Sequence, residues 1–149
     1  MDPLPIGARA PDFELKDSKG GRLKLSDLRG KKVILYFFPK AFTGGCTQET
    51  REFAGMAPSL AGKGVEIVGI SVDDAETQAR FAVHCSATFP IVGDPTKEVA
   101  RSYGVLAFLG VSKRVTFFID ADGIIREVVS GLLPGPHARR ARELFLEGV

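Results

Sequence analysis

The segment Val33 to Glu49, V-I-L-Y-F-F-P-K-A-F-T-G-G-C-T-Q-E, constrains the fold more than any other part of the chain. Val33 to Pro39 is an apolar run too short for a helix and rich in β-branched and aromatic residues, which predicts a fully buried strand. Pro39 cannot donate to a sheet ladder and stops it. Thr43-Gly44-Gly45 then opens a helix, with Cys46 in its first turn. Free backbone N–H groups and the positive end of the helix dipole favour a thiolate there. A cysteine can equally be a small buried apolar residue, as most free cysteines are.

The flanking sequence supplies partners for that strand. Phe13-Glu14-Leu15 and Arg22 to Leu25 alternate apolar and polar around the turn Asp17 to Gly21, which predicts an N-terminal hairpin. Ser26 to Gly30 reads as one helical turn. The helix from about Gly45 to Ala61 carries Phe53, Met56, Ala57 and Leu60 on one face and ends at Gly62 and Gly64. Val65 to Val72 is a second buried strand. Asp73 and Asp74 read as caps of a helix over about Ala75 to His84. Phe89 to Val92 reads as a short strand, and Lys97 to Tyr103 as a short helix. Arg114 to Asp120 and Ile124 to Val129 flank Ala121-Asp122-Gly123, a hairpin signal. A last helix spans about Gly135 to Glu147, with Ala141, Leu144 and Phe145 on one face. This order predicts one α/β domain over residues 1–149: a thioredoxin-like fold with a central mixed sheet, flanking helices and the N-terminal hairpin.

Composition limits the function classes. With 44% apolar residues, 26% charged and a formal net charge of +2, the chain reads as an ordinary soluble globular protein with no nucleic-acid footprint. The opening M-D-P-L-P-I-G lacks the basic and apolar regions of a secretory signal, and no apolar run nears the roughly 18 residues of a membrane span. Two cysteines make no secreted disulfide framework, so the expected compartment is a reducing cytoplasm. No zinc site fits their spacing with the two histidines.

Pro39-Lys40-Ala41-Phe42-Thr43-Gly44-Gly45-Cys46 matches the pattern Pro-x-x-x-Thr-x-x-Cys. With Arg114 at the start of the late strand and the element order above, the chain resembles the peroxiredoxins, and within them the bacterioferritin-comigratory, or Q-type, group. The resemblance runs from Gly7 to the terminal helix and implies reduction of hydrogen peroxide and organic hydroperoxides without cofactor or metal. Peroxide reduction needs a thiolate and stabilisation of the departing oxygen, which makes Cys46 the nucleophile and Arg114 the cation that holds thiolate and peroxide. A surface arginine at a strand end is the alternative for Arg114. By the same resemblance Thr43 bridges thiolate and peroxide, and Pro39 shields the sulfur. Glu49 is either an anchor for the arginine or a first-turn carboxylate complementing the dipole.

Many Q-type members carry a resolving cysteine five residues after the first, where this chain has Arg51. Others carry it on the following helix, and Cys85 lies 39 residues beyond Cys46, about one turn later than usual. Cys85 is therefore either a resolving thiol, served by thioredoxin or a similar reductant, or a half-buried structural cysteine, in which case an external thiol completes the cycle. The resolving role needs local unwinding of one or both helices for the two thiols to join. His84 reads as an activator of Cys85 or a lone surface histidine. Leu106 to Val111 reads as an apolar loop that lines the pocket mouth, makes a dimer contact or packs. A monomer is expected, with a weak homodimer as the alternative. A disulfide reductase of the same fold would want Cys-x-x-Cys, and here Glu49 stands three residues after Cys46. A non-enzymatic chaperone or redox-signalling partner remains a further reading and predicts an ordinary thiol with no peroxide turnover.

Overall fold

The computed structural model describes residues 2–147. The β3 strand, Lys32–Phe37, lies at the centre of a five-stranded sheet in the order β5-β4-β3-β6-β7. Parallel neighbours on one side are β4 (Val65–Ser71) and β5 (Ile91–Gly93). On the other side β6 (Val115–Ile119) and β7 (Ile125–Ser130) run antiparallel. The β1 strand (Glu14–Lys16) and the β2 strand (Arg22–Lys24) form the separate N-terminal hairpin, followed by a 3-10 turn at Leu25–Leu28.

Both faces of β3 are covered, which is why its sequence is a continuous apolar run and not an alternating one. Strand period two still sorts the side chains. Ile34 and Tyr36 point to the core under α1 (Gly44–Ala61), α2 (Ala75–Cys85) and α4 (Gly135–Phe145), among Phe53, Leu60, Phe81 and Ala141. Val33, Leu35 and Phe37 point to the opposite core, with Phe13, Tyr103 and Phe117, beneath the N-terminal segment and α3 (Glu98–Ser102). Tyr36 stacks on Phe53 at 4.6 Å and donates its hydroxyl to Thr50 Oγ1 at 2.9 Å. Gly69 on the neighbouring strand leaves room for that ring, since a Cβ there would lie 2.8 Å from it.

Four expectations shift. The short strand occupies Ile91–Gly93 rather than Phe89 to Val92. Pro90 has no N–H to contribute, and only its carbonyl serves the sheet edge, accepting from Gly69 N at 3.1 Å. Asp74 caps α2, accepting from Thr77 N at 2.8 Å. Asp73 does not: its Oδ2 accepts from Ala41 N at 2.8 Å and tethers the segment between β3 and α1. The buried face of α4 is His137, Ala138 and Ala141, while Leu144 is exposed; the helix ends at Phe145, whose ring reaches Phe118 at 6.2 Å. In the loop after α3, Leu106 packs, but Phe108 and Leu109 project into solvent.

Candidate active site

The residues that β3 hands to α1 are set by three local devices. The Asp73 carboxylate holds Ala41 N–H and accepts from Ser71 Oγ, which in turn accepts from the buried Gln78 amide at 2.7 Å. Phe42 takes a left-handed φ of 68°, a costly conformation for a bulky residue. Its half-exposed ring is steadied against Phe81 and His84, each with centroids 5.3 Å away. Thr43 is the N-cap residue of α1, yet its hydroxyl donates to Lys40 O at 2.7 Å and does not cap the helix N–H groups. Pro39 is half-buried in the same segment.

Cys46, in the first turn of α1, is fully buried. The Arg114 side chain reaches it from just before β6 and is fixed at each nitrogen. Nη2 lies 3.4 Å from Cys46 Sγ, Nη1 donates to Glu49 Oε1 at 2.6 Å, and Nε donates to Leu132 O at 2.8 Å. Gly45 makes this approach feasible, because a Cβ there would meet Nη2 at 2.9 Å. Cys46, Glu49 and Arg114, spread over 68 residues of sequence, thus form one buried cluster. A fully buried Glu49 paired to a guanidinium is no solvent-facing dipole complement. Burial pushes its carboxyl up to about 8 against the opposing pull of Arg114.

His137 joins this cluster and has no counterpart in the sequence reading. It is fully buried on α4, with Nε2 2.9 Å from Gly131 O and Nδ1 2.8 Å from Thr116 Oγ1. A carbonyl can only accept, so Nε2 carries hydrogen and the neutral ring receives the Thr116 proton at Nδ1. Nδ1 also lies 3.8 Å from Glu49 Oε2, a buried oxygen with no hydrogen-bond partner. Desolvation, with the nearby Arg114 charge, holds the imidazole below its usual range.

Cys85 is buried at the end of α2, not half-exposed, and is unbonded to Cys46. Its Sγ points at the carbonyl oxygen of Thr47, Cys46's neighbour, at 4.0 Å. The thiol therefore lies against the same first turn of α1. Burial raises it toward the protonated form, and the Arg51 charge opposes this. Arg51 Nη2 donates to His84 O at 3.2 Å, while the His84 ring stays at the surface against Phe42. A separate cavity of about 430 Å³ lies between the hairpin and the start of α2, lined by Lys16, Arg22, Asp74 and Gly93, and none of the cluster residues borders it.

The chain that carries this cluster is similar to known proteins. The AhpC/TSA family pattern covers residues 6–128. Peroxiredoxin Bcp of Escherichia coli K12 is 35% identical over 144 residues, spanning 92% of each chain. The chain belongs to the AhpC/TSA peroxiredoxin family. Among solved structures, peroxidoxin BcpB of Mycobacterium tuberculosis is 34% identical and superposes with a TM-score of 0.87, covering 97% of this chain and 99% of that one. The bacterioferritin comigratory protein of Xanthomonas campestris is 25% identical with a TM-score of 0.85, covering 97% of each. This peroxiredoxin is thus a thiol-based peroxidase close to the Bcp and Q-type members, and its substrates are peroxides reduced at the expense of a thiol. No helix among the described residues is long and apolar enough to cross a membrane. None of the described residues form a group of three or more His, Cys, Asp or Glu that could hold a metal ion.

Proposed function

We propose that Cys46 is the peroxidatic nucleophile, that Cys85 resolves it, and that a thioredoxin-like dithiol restores the pair. The observation that carries this reading is the Arg114 fork, with one arm on Cys46 Sγ and the other on Glu49. In the first step the Cys46 thiolate attacks one peroxide oxygen. The S–O bond forms, the O–O bond breaks, and the departing oxygen takes a proton to leave as water or an alcohol. Arg114 steadies the thiolate and donates to peroxide oxygen as charge moves onto it. Thr43 has its proton engaged with Lys40 O, which leaves its oxygen lone pairs to accept the peroxide O–H. Pro39 screens the sulfur, and Glu49 anchors the arginine.

In the second step the Cys85 thiolate displaces hydroxide from the Cys46 sulfenic acid, giving a disulfide and water. A dithiol then reduces the disulfide by exchange. The position of Cys85 against the Thr47 carbonyl supports this, as does the opposing Arg51 charge. Organic hydroperoxides as substrates are supported by the similar Xanthomonas protein, described for its alkyl peroxide reduction activity. A cytoplasmic location accords with two free cysteines.

The test is intact mass under non-reducing conditions after one equivalent of hydrogen peroxide is added to reduced protein. Loss of two hydrogens, mapped to a Cys46–Cys85 peptide, is expected. A gain of one oxygen at Cys46 with Cys85 free would replace this cycle by one using an external thiol. An unreacted Cys46 would remove the nucleophile assignment, as would retained turnover in Cys46→Ser.

A further inference from the structure

Two anions compete for one cation in the buried cluster. When Cys46 ionises, its thiolate and the Glu49 carboxylate both draw on Arg114, each of whose three nitrogens already has a partner. Behind Glu49 stands a gap of unusual kind: Oε2 is unpartnered, and the nearest ring nitrogen, His137 Nδ1, is 3.8 Å away. In the neutral ring Nδ1 presents a lone pair, so a charged Glu49 sets lone pair against lone pair. One added proton resolves this wherever it sits. On Oε2 it faces the Nδ1 lone pair, which accepts it once the Thr116 hydroxyl turns away and the 3.8 Å gap closes. On Nδ1 it makes an imidazolium whose Nε2–H stays on Gly131 O, while Nδ1–H serves Glu49 or Thr116, whose hydroxyl can rotate to accept.

We propose that Glu49 and His137 hold a single shared proton in the reactive state of the site, and that this proton frees the Arg114 guanidinium for the Cys46 thiolate. His137 is then a positioning residue, acting on the sulfur through Glu49 and Arg114. The inference rests on Cys46 being the peroxidatic thiol. The groups around the pair are few. Glu52 bears on it from α1 and Tyr36 from β3, and Arg114, which also holds Cys46, and Thr116 from the β6 side. From β7, Glu127 is occupied by Arg140 of α4, which also holds Glu143. Burial, which keeps Glu49 protonated to about pH 8, is consistent with a proton retained near neutrality.

Loss of this proton at alkaline pH leaves a full carboxylate competing with the thiolate, so Cys46 oxidation slows as pH rises. Single-turnover oxidation by hydrogen peroxide, followed by stopped flow from pH 5 to 10, is expected to show this alkaline limb in the wild type. His137→Asn keeps a polar group at the Nδ1 position but cannot become charged. It should move the limb toward lower pH by roughly one unit, and Glu49→Gln should abolish it. Imidazole ¹⁵N NMR of the folded wild type supplies a readout independent of rate and of whether the variants fold. The His137 Nδ1 signal should change across the same pH range as the limb, and Cys46→Ser should shift that change toward lower pH. An unchanged limb in both variants, or a His137 signal constant from pH 6 to 10, overturns the shared proton and leaves the peroxidase reading intact. A wild-type Cys46 that does not react with peroxide overturns that reading itself.

Discussion

Glu49→Gln, made in a Cys46→Ser background so that no active-site thiol titrates, isolates the cost of burying this carboxyl. The folded protein keeps the Glu49 proton to about pH 8, whereas the unfolded chain releases it near the ordinary 4.5. Between those values the native state binds the extra proton, so stability falls as pH rises, by about 1.4 kcal/mol per unit, and levels off above about 8. The carboxyl is fully buried, so solvent screening removes little of this. The depressed His137 has the opposite sign. Its unfolded form takes up a proton as pH drops below 6.5, and stability is lost toward acid. Working from pH 6.5 to 7.5 keeps that contribution small, and the Glu49 slope alone predicts a loss of about 1 kcal/mol. Urea unfolding of both proteins at constant ionic strength measures it. Whatever the offset between the two lines, that of the Gln variant should be flatter by that amount. Parallel lines would refute the reasoning: Glu49 would then be charged throughout, with Arg114 fully offsetting its burial.

Two further substitutions probe the fork. Arg114→Met removes the donor at 3.4 Å from the sulfur and leaves Glu49 Oε1 without its partner in the core; peroxide oxidation of Cys46 should slow by roughly 10²–10³ and urea unfolding should register a loss of about 1–3 kcal/mol, whereas a rate within a few-fold of wild type would take Arg114 out of its role. Gly45→Ala places a Cβ where it would meet Nη2 at 2.9 Å, so the guanidinium must shift off the sulfur; the peroxide rate should drop about tenfold, because distance controls a charge-assisted bond, with Tm little changed since alanine is the better helix former, and an unaffected rate would mean the fork tolerates displacement.

How much of this was legible depended on whether the information is local. The buried run at Val33, the Asp-Gly turn and the face of α1 follow from periods and turn chemistry that neighbours cannot override. The short strand slipped because Pro90 denies the ladder a donor, and the face of α4 was read only in part: Ala141 and Phe145 reach the core, but His137 and Ala138 complete it where Leu144 was expected. Asp73 and Asp74 are indistinguishable as caps in sequence, and only the approach of Ala41, 32 residues away, separates them. Glu49 posed a choice between anchor and dipole complement that only burial decides. His137 left one faint trace, a lone histidine four residues before Ala141, and its value lies in contacts with Thr116, Gly131 and Glu49 that no local pattern encodes.

On the proposed cycle, the same features that hold Cys46 ready also determine when it lets go. The first turn of α1 is poorly secured on its own: it begins Gly44-Gly45, two residues with the highest backbone entropy to lose, and Thr43 spends its hydroxyl on Lys40 rather than on the helix N–H groups. What pins the turn is the charged contact between Arg114 and the thiolate. Oxidation to sulfenic acid removes that charge, leaving an uncapped, glycine-rich turn with Cys85 already against its Thr47 carbonyl. The end of α2 is better secured: Arg51 holds the His84 carbonyl, and the N–H groups of Ser86 and Ala87 donate to Val83 O at 3.1 Å and Ala82 O at 2.9 Å. Unwinding therefore begins most cheaply at Gly44 to Cys46, and only after peroxide has been consumed. The reduced site stays folded for substrate, and the oxidised one is released toward its resolving thiol.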